Sequence, residues 1–152
     1  MDKPSEHPVV IGWQEEVDFP DWGFRRIRVK IDTGARTSAL DVVSYTLAHE
    51  EGQGLVAELR LVLRRRRPQH IKTVRARVLR MVVVCNSSGM REQRPLIETT
   101  LRLGPVTKTV QLTVTNRFNM RFPVILGRKA LAGDFVVDAS RRNVFRQARP
   151  PS

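Results

Sequence analysis

Asp32-Thr33-Gly34-Ala35 is the segment of this 152-residue chain whose residue types could do chemistry. A carboxylate placed where a strand leaves its sheet can act as base or acid on a bound group. The glycine two residues on lets the main chain turn tightly and lets another backbone come close. Taken alone, Asp-Thr-Gly is also a plain turn in which Asp32 caps backbone amides. The other reactive residue types offer less. Hydrolytic zinc needs about three protein ligands and an open position, and the three histidines, His7, His49 and His70, are scattered. His49-Glu50-Glu51 lacks the second histidine of a His-Glu-x-x-His helix. Ser87 and Ser88 lack a Gly-x-Ser-x-Gly elbow, and no Gly-x-x-x-x-Gly-Lys-Ser/Thr loop is present. No metal site and no cofactor are expected. The single cysteine, Cys85, reads as a small buried hydrophobe. Asp138, after Phe135-Val136-Val137, reads as a turn cap or a partner for Arg141.

The elements that must hold Asp32 have a period of two. In Phe24–Ile31, Ile27, Val29 and Ile31 fall on one face and Arg26, Arg28 and Lys30 on the other. Residues 55–63 and 106–115 alternate in the same way, as half-buried strands do. Further strands are expected at Val9–Trp13, Ile71–Cys85, Leu96–Leu103, Phe122–Ile125 and Phe135–Asp138, with loops at 18–23, 49–54, 64–69 and 86–89. One short helix is expected at Arg128–Ala132, stopped by Gly133. Many short strands with one helix argue for a mainly β, closed or nearly closed barrel. At this length a single domain is expected over residues 9–146, with loosely ordered ends at 1–8 and 147–152.

Some ninety residues after Asp32 comes Phe122-Pro123-Val124-Ile125-Leu126-Gly127-Arg128, followed by the helix candidate. The order of these two segments resembles the retropepsins, in which an Asp-Thr-Gly-Ala strand end, a flap hairpin, an apolar-apolar-Gly segment and a terminal helix follow one another. The run Lys30-Ile31-Asp32-Thr33-Gly34-Ala35-Arg36-Thr37-Ser38-Ala39-Leu40 resembles the bacterial branch commonly labelled "ATP-dependent zinc protease". So do Ile11-Gly12-Trp13, the region 94–103, Thr115-Asn116-Arg117 and Phe135-Val136-Val137-Asp138. Asp41 departs from the pattern, since many relatives are expected to carry His there. The resemblance implies a retropepsin-like closed β-barrel with Ser87-Ser88-Gly89 at the flap tip. It implies a homodimer in which Asp32 faces its symmetry mate, Thr33 bridges the two strands and the Gly34 amide helps hold the carboxylate. Substrate contacts are then expected at Ala35, Arg36, Thr37, Ser87, Ser88, Gly89, Leu126 and Gly127. Arg36 would favour the charged carboxylate of the dyad or read a carboxylate of the substrate, unless it simply faces solvent.

Twenty-seven Lys and Arg against fifteen Asp and Glu give a net charge of +12. A peptidase with that charge should attract acidic polypeptides. Relatives of the family are often found beside ATP-grasp ligases that add glutamates to proteins, so the resemblance suggests trimming of glutamate-rich tails. The arginine run 64–67 has no aromatic residues within it, so a single-stranded nucleic-acid platform is not evident. No apolar run approaches the ~20 residues that span a bilayer. The polar opening MDKPSEHPVVIGW and the lone cysteine fit a cytoplasmic location. Two rival classes are a binding module that kept the barrel and holds RNA or an acidic protein, and a zinc-dependent peptidase as the label says.

Overall fold

The computed structural model describes residues 7–64, 70–85, 88–116 and 121–146. Among them, eleven strands and one α-helix follow in the order β1 (Val9–Ile11), β2 (Gln14–Phe19), β3 (Phe24–Ile31), β4 (Ser38–Asp41), β5 (Ser44–Glu50), β6 (Gly54–Leu61), β7 (Lys72–Cys85), β8 (Arg91–Leu103), β9 (Val106–Thr115), β10 (Val124–Leu126), α1 (Arg128–Leu131) and β11 (Phe135–Val137). A 3₁₀ turn, Pro20–Trp22, links β2 to β3.

The strands pair in the order β2-β3-β10-β4-β9-β8-β7-β6-β5, and β2 also pairs with β8 through Asp18 and Arg102. That extra pairing closes a six-stranded barrel, β2-β3-β10-β4-β9-β8, which has no free edge. Beyond it, β7, β6 and β5 continue as an antiparallel meander. Two pairings in the barrel are parallel, β3 with β10 and β4 with β9. The first brings the C-terminal ends of β3 and β10 side by side, and those ends lead into Asp32 and Gly127. The mainly β retropepsin-like barrel expected from the sequence is present.

The alternation in β3 is realised: Ile27, Val29 and Ile31 are buried, and Arg26 and Lys30 are exposed. Leu59 and Leu61 of β6 and Val110, Leu112 and Val114 of β9 join them in one core. β7 and β8 pair antiparallel well past the barrel, with Cys85 opposite Arg91 at the outer end of the pairing. Arg94 on its second arm donates to Asn116 Oδ1 at 2.8 Å and bonds Glu92, tying the arm to the end of β9. Cys85 is exposed, not the buried hydrophobe expected, because both arms project beyond the barrel there.

Three strands lie outside the segments expected as strands: β2, β4 and β5. Residues 49–50, expected in a loop, close β5 instead, and the turn is confined to 51–53. The last described residues pack along β2. Arg141 O accepts from Trp13 N at 2.9 Å, Asn143 N donates to Gln14 O at 2.8 Å, and the buried Glu15 carboxylate accepts from Gly12 N and Val144 N at 2.7 and 3.1 Å. The loosely ordered ends expected at 1–8 and 147–152 fall almost wholly outside the described residues, as does the arginine run beyond Arg64.

Candidate active site

Strand β3 delivers Asp32 to the rim of the barrel. Ile31 N donates to Trp13 O at 2.8 Å and Asp32 N to Leu126 O at 2.9 Å, so the main chain leading into the carboxylate is fixed by neighbouring elements. The chain then turns: Ala35 N donates to Asp32 O at 3.2 Å, and Asp32 Oδ1 accepts from Gly34 N at 3.0 Å. The turn and its capping amide use the one feature, a carboxylate two residues before glycine, that both readings of Asp-Thr-Gly share.

The second segment grips this loop. Arg128 N donates to Ala35 O at 2.8 Å and Lys129 N to Arg36 O at 3.0 Å. Gly127 N donates to the Ser38 hydroxyl at 3.0 Å, and the Arg128 guanidinium reaches Thr33 O at 2.9 Å. A Cβ on Gly127 would lie 2.8 Å from Ala35 O and closer still to Thr37 O, so only glycine permits this approach. Lys108 completes the support from β9. Its ammonium donates to Ala130 O at 2.8 Å and pairs with Asp134 at 2.6 Å, holding the end of α1.

The expected site residues therefore separate into two groups. Asp32 is half-buried, and Thr33, Gly34, Arg36 and Thr37 are exposed around it, with Ala35 half-buried. Ser88 and Gly89, between β7 and β8, are exposed, while Ser87 lies outside the described residues. Leu126 and Gly127 belong to the other group. Leu126 is 1% exposed and its side chain sits in the core, so it offers a carbonyl to Asp32 N rather than a surface to a peptide. Gly127 is buried as well, and its contribution is close packing. Sequence reasoning passed over Ser38 and Arg128 as holders of the loop. A hydroxyl just ahead of the apolar residues of β4 was the available signal for Ser38.

Two carboxylates considered beside Asp32 have other duties. Asp41 is buried at the far end of β4, where its N–H meets Pro123 O at 2.8 Å and its Oδ1 accepts from the Thr115 hydroxyl at 3.2 Å. Asp138 accepts from the Ser140 hydroxyl and amide at 2.6 and 2.9 Å. Those bonds hold its carboxyl below the usual range, with Arg141 adding a smaller pull in the same direction. Among the described residues no second carboxylate is bonded to Asp32, and no group of three or more His, Cys, Asp or Glu is placed to hold a metal ion. Each chain thus presents one carboxylate, Asp32, at the end of β3, on a backbone fixed by Trp13 and Leu126.

The closed barrel with Asp-Thr-Gly-Ala at a strand end is a retropepsin-like fold. The chain belongs to the RimB-like family, whose model, described as "Retropepsin-like aspartic endopeptidase RimB", matches residues 10–148. A probable alpha-L-glutamate ligase of Desulfotalea psychrophila is 31% identical over 137 residues, covering 85% of this chain and 28% of that protein. One of Shewanella pealeana is 32% identical over 137 residues, covering 90% of this chain and 30% of its own length. The chain therefore spans about three-tenths of these curated relatives. A crystal structure of a Legionella pneumophila protein of unknown function (DUF785) superposes with a TM-score of 0.76 at 20% identity, over 92% of this chain and 100% of that one. At that identity the likeness concerns the fold. No helix among the described residues is long and apolar enough to cross a membrane.

Proposed function

We propose that the protein hydrolyses peptide bonds as a two-fold homodimer, each copy contributing Asp32. The observation that carries this is the seating of Asp32. Main-chain bonds from Ile31 to Trp13 and from Asp32 to Leu126 fix its backbone, the Gly34 amide orients its Oδ1, and among the described residues no second carboxylate is bonded to it. An isologous interface would bring the missing partner, because it sets any residue on the axis against itself. Two carboxylates sharing one proton then divide the work. The ionised one takes a proton from a trapped water, which attacks the peptide carbonyl, while the protonated one stabilises the developing oxyanion and later protonates the amine. In this scheme Thr33 approaches its symmetry mate across the axis, and the Ser88–Gly89 flap tip covers the bound peptide.

The preferred substrate is an acidic polypeptide, and specifically a glutamate-rich tail. A net charge of +12 supports it. So does the naming of relatives about three times longer than the matched region as probable alpha-L-glutamate ligases, since one polypeptide then carries both a region like this chain and the remainder of such a protein.

Asp32→Asn tests the reaction. The amide keeps the volume and the bond from Gly34 but cannot carry the proton, so cleavage of a glutamate-rich peptide, followed by mass spectrometry, should fall by about 10²–10⁴-fold with little change in melting temperature. Wild-type cleavage should persist in chelator and be blocked by a statine-type transition-state mimic. Full activity in the Asp32→Asn variant, or activity lost to chelator and restored by zinc, would defeat the aspartic mechanism.

A further inference from the structure

Beside the catalytic loop lies a cavity of about 890 Å³, walled by Thr37 and Ser38 on one side, by Lys129 and Ala130 of α1 on another, and by residues of β7, β8 and β9. Asp32 does not line it. Two cations do, Arg80 and Lys129. Hydroxyl and amide groups come from Thr37, Thr109, Gln111 and Thr113, and Val82 and Leu96 supply apolar wall. Among the described residues no Asp or Glu lines it; Glu98, which faces Gln111 across the β8–β9 pair, stays outside.

Arg80 reaches this cavity because of an irregularity in β7. Val74, Ala76 and Val78 face the core, so strict alternation would carry residue 80 into it as well. The register slips between Val78 and Arg80, so that Val78 opposes Ile97 but Arg80 opposes Leu96. A bulge of this kind turns the following side chains to the other face. Arg80 is thereby exposed on the side of Leu96 and Thr113, which pair with each other across β8 and β9. Lys129 arrives from the opposite wall, fixed by its own N–H to Arg36 O at 3.0 Å, one residue from Thr37. Two cations from separate elements are thus brought into one cavity with no carboxylate among its described lining residues.

We infer that Arg80 and Lys129 form a carboxylate-reading subsite that selects an acidic side chain of the bound polypeptide at a position removed from the scissile bond. This rests on the proposed reading of the protein as a peptidase for acidic chains, and adds to it which residues discriminate and where. The guanidinium offers a fork that matches a carboxylate, the ammonium a second point charge, and Gln111 and the threonines satisfy the remaining lone pairs. The apolar wall at Val82 and Leu96 suits the methylene stem of a glutamate.

Binding is measured without turnover, by fluorescence anisotropy of labelled penta-glutamate on the full chain carrying Asp32→Asn. Penta-glutamate should bind at least about tenfold tighter than penta-glutamine at low ionic strength. Adding Arg80→Gln with Lys129→Gln should weaken penta-glutamate by about tenfold and leave penta-glutamine unchanged, as two partly exposed ion pairs at their usual strength require. Arg25→Gln with Arg60→Gln removes the same charge from exposed strand positions on β3 and β6 and should cost at most about twofold. Arg80→Lys should retain most of the affinity, and Arg80→Glu with Lys129→Glu should bind penta-lysine instead. Equal losses from the two double variants, or displacement by inorganic tripolyphosphate as effective as by unlabelled penta-glutamate, would overturn the subsite and leave only diffuse attraction. Because no hydrolysis is needed, a failure of the peptidase reading shows in the cleavage assay and a failure of the subsite shows here.

Discussion

Replacing Gly127 by alanine isolates the contact on which the site depends. Gly127 has φ −94° and ψ −176°, an extended conformation open to any residue, so the substitution carries no conformational penalty. Its whole cost is steric. The new Cβ would stand 2.8 Å from Ala35 O and nearer to Thr37 O, whereas Cβ atoms essentially never come within 3.0 Å of a neighbour. Both obstacles are backbone and neither can rotate aside, so the loop 35–37 must retreat from 127–129 by several tenths of an ångström. That retreat stretches Arg128 N to Ala35 O and Lys129 N to Arg36 O, the two bonds that seat the loop. Overpacking of this kind costs roughly 1–3 kcal/mol, equivalent to a fall in melting temperature of roughly 2–12 °C for a chain of this size. Catalysis should suffer more than stability, because a misplacement approaching 1 Å costs about 10²-fold. Calorimetry and the glutamate-peptide cleavage assay should be run beside Gly52→Ala. At Gly52 φ is +78° and nothing lies within 4 Å of a Cβ, so alanine there strains a surface turn between β5 and β6 and should lower stability alone. If Gly127→Ala retained full activity, or lost no more than Gly52→Ala, the close approach of the two segments would not be what positions the carboxylate.

Two further expectations concern charge. Asp138 has a lowered pKa from its bonds to Ser140, so its contribution to stability is present above the ordinary carboxylate range and is lost as pH falls through the lowered value. The melting-temperature gap between the wild type and Asp138→Asn should thus be open at neutral pH and close as pH falls below the ordinary carboxylate range; a gap that does not vary with pH would contradict the assignment. Two copies of a +12 chain repel, so dimerisation followed by sedimentation should tighten as salt shortens the Debye length from ~10 Å at 0.1 M to ~3 Å at 1 M, while attraction of a glutamate-rich peptide should weaken. Cleavage of that peptide should pass through a maximum with salt, and a strictly monomeric yet fully active protein would refute the shared pair.

What the sequence displayed and what it hid follow from the range of the interactions involved. Strand β3 is legible because one face is buried and the other solvated, which writes apolar and basic residues in alternation. Strand β2, Gln-Glu-Glu-Val-Asp-Phe, is not, because its buried polar residues take hydrogen bonds from far along the chain. Glu15 receives Val144 N, and Gln14 bonds Asn143 at 3.2 Å, both 129 residues away. Ser38 and Asp41 conceal β4 in the same manner, their partners being Gly127 and Thr115. The placement of Asp32 beside the Leu126-Gly127-Arg128 segment was legible from the two motifs together. The division of labour within that segment was not, since an apolar residue before glycine reads equally as a wall for substrate or as core. The bulge at Leu79 left no trace either, because Val78-Leu79-Arg80 continues a pattern that alternation alone would send inward.

The way Asp32 is held also constrains what dimerisation can do. The bonds made by Ile31 N, Asp32 N, Ala35 N, Arg128 N and Lys129 N are all donated by main chain to main chain. Such bonds persist through most side-chain replacements, and they form within one protomer. In the proposed dimer the half-site would therefore be ordered before a second copy arrived, and association would spend no binding free energy on folding the loop. What the proposed interface would have to overcome is the mutual repulsion of two strongly basic chains and of two carboxylates brought together, and a shared proton would relieve the second of these. An acidic polypeptide lying across both copies would relieve the first, since its carboxylates would stand between like-charged walls. If the proposed reading holds, an acidic substrate would assist assembly of the site that cleaves it, and dimerisation and binding of an acidic chain would be coupled through charge alone, with no conformational change of the Asp32 loop required.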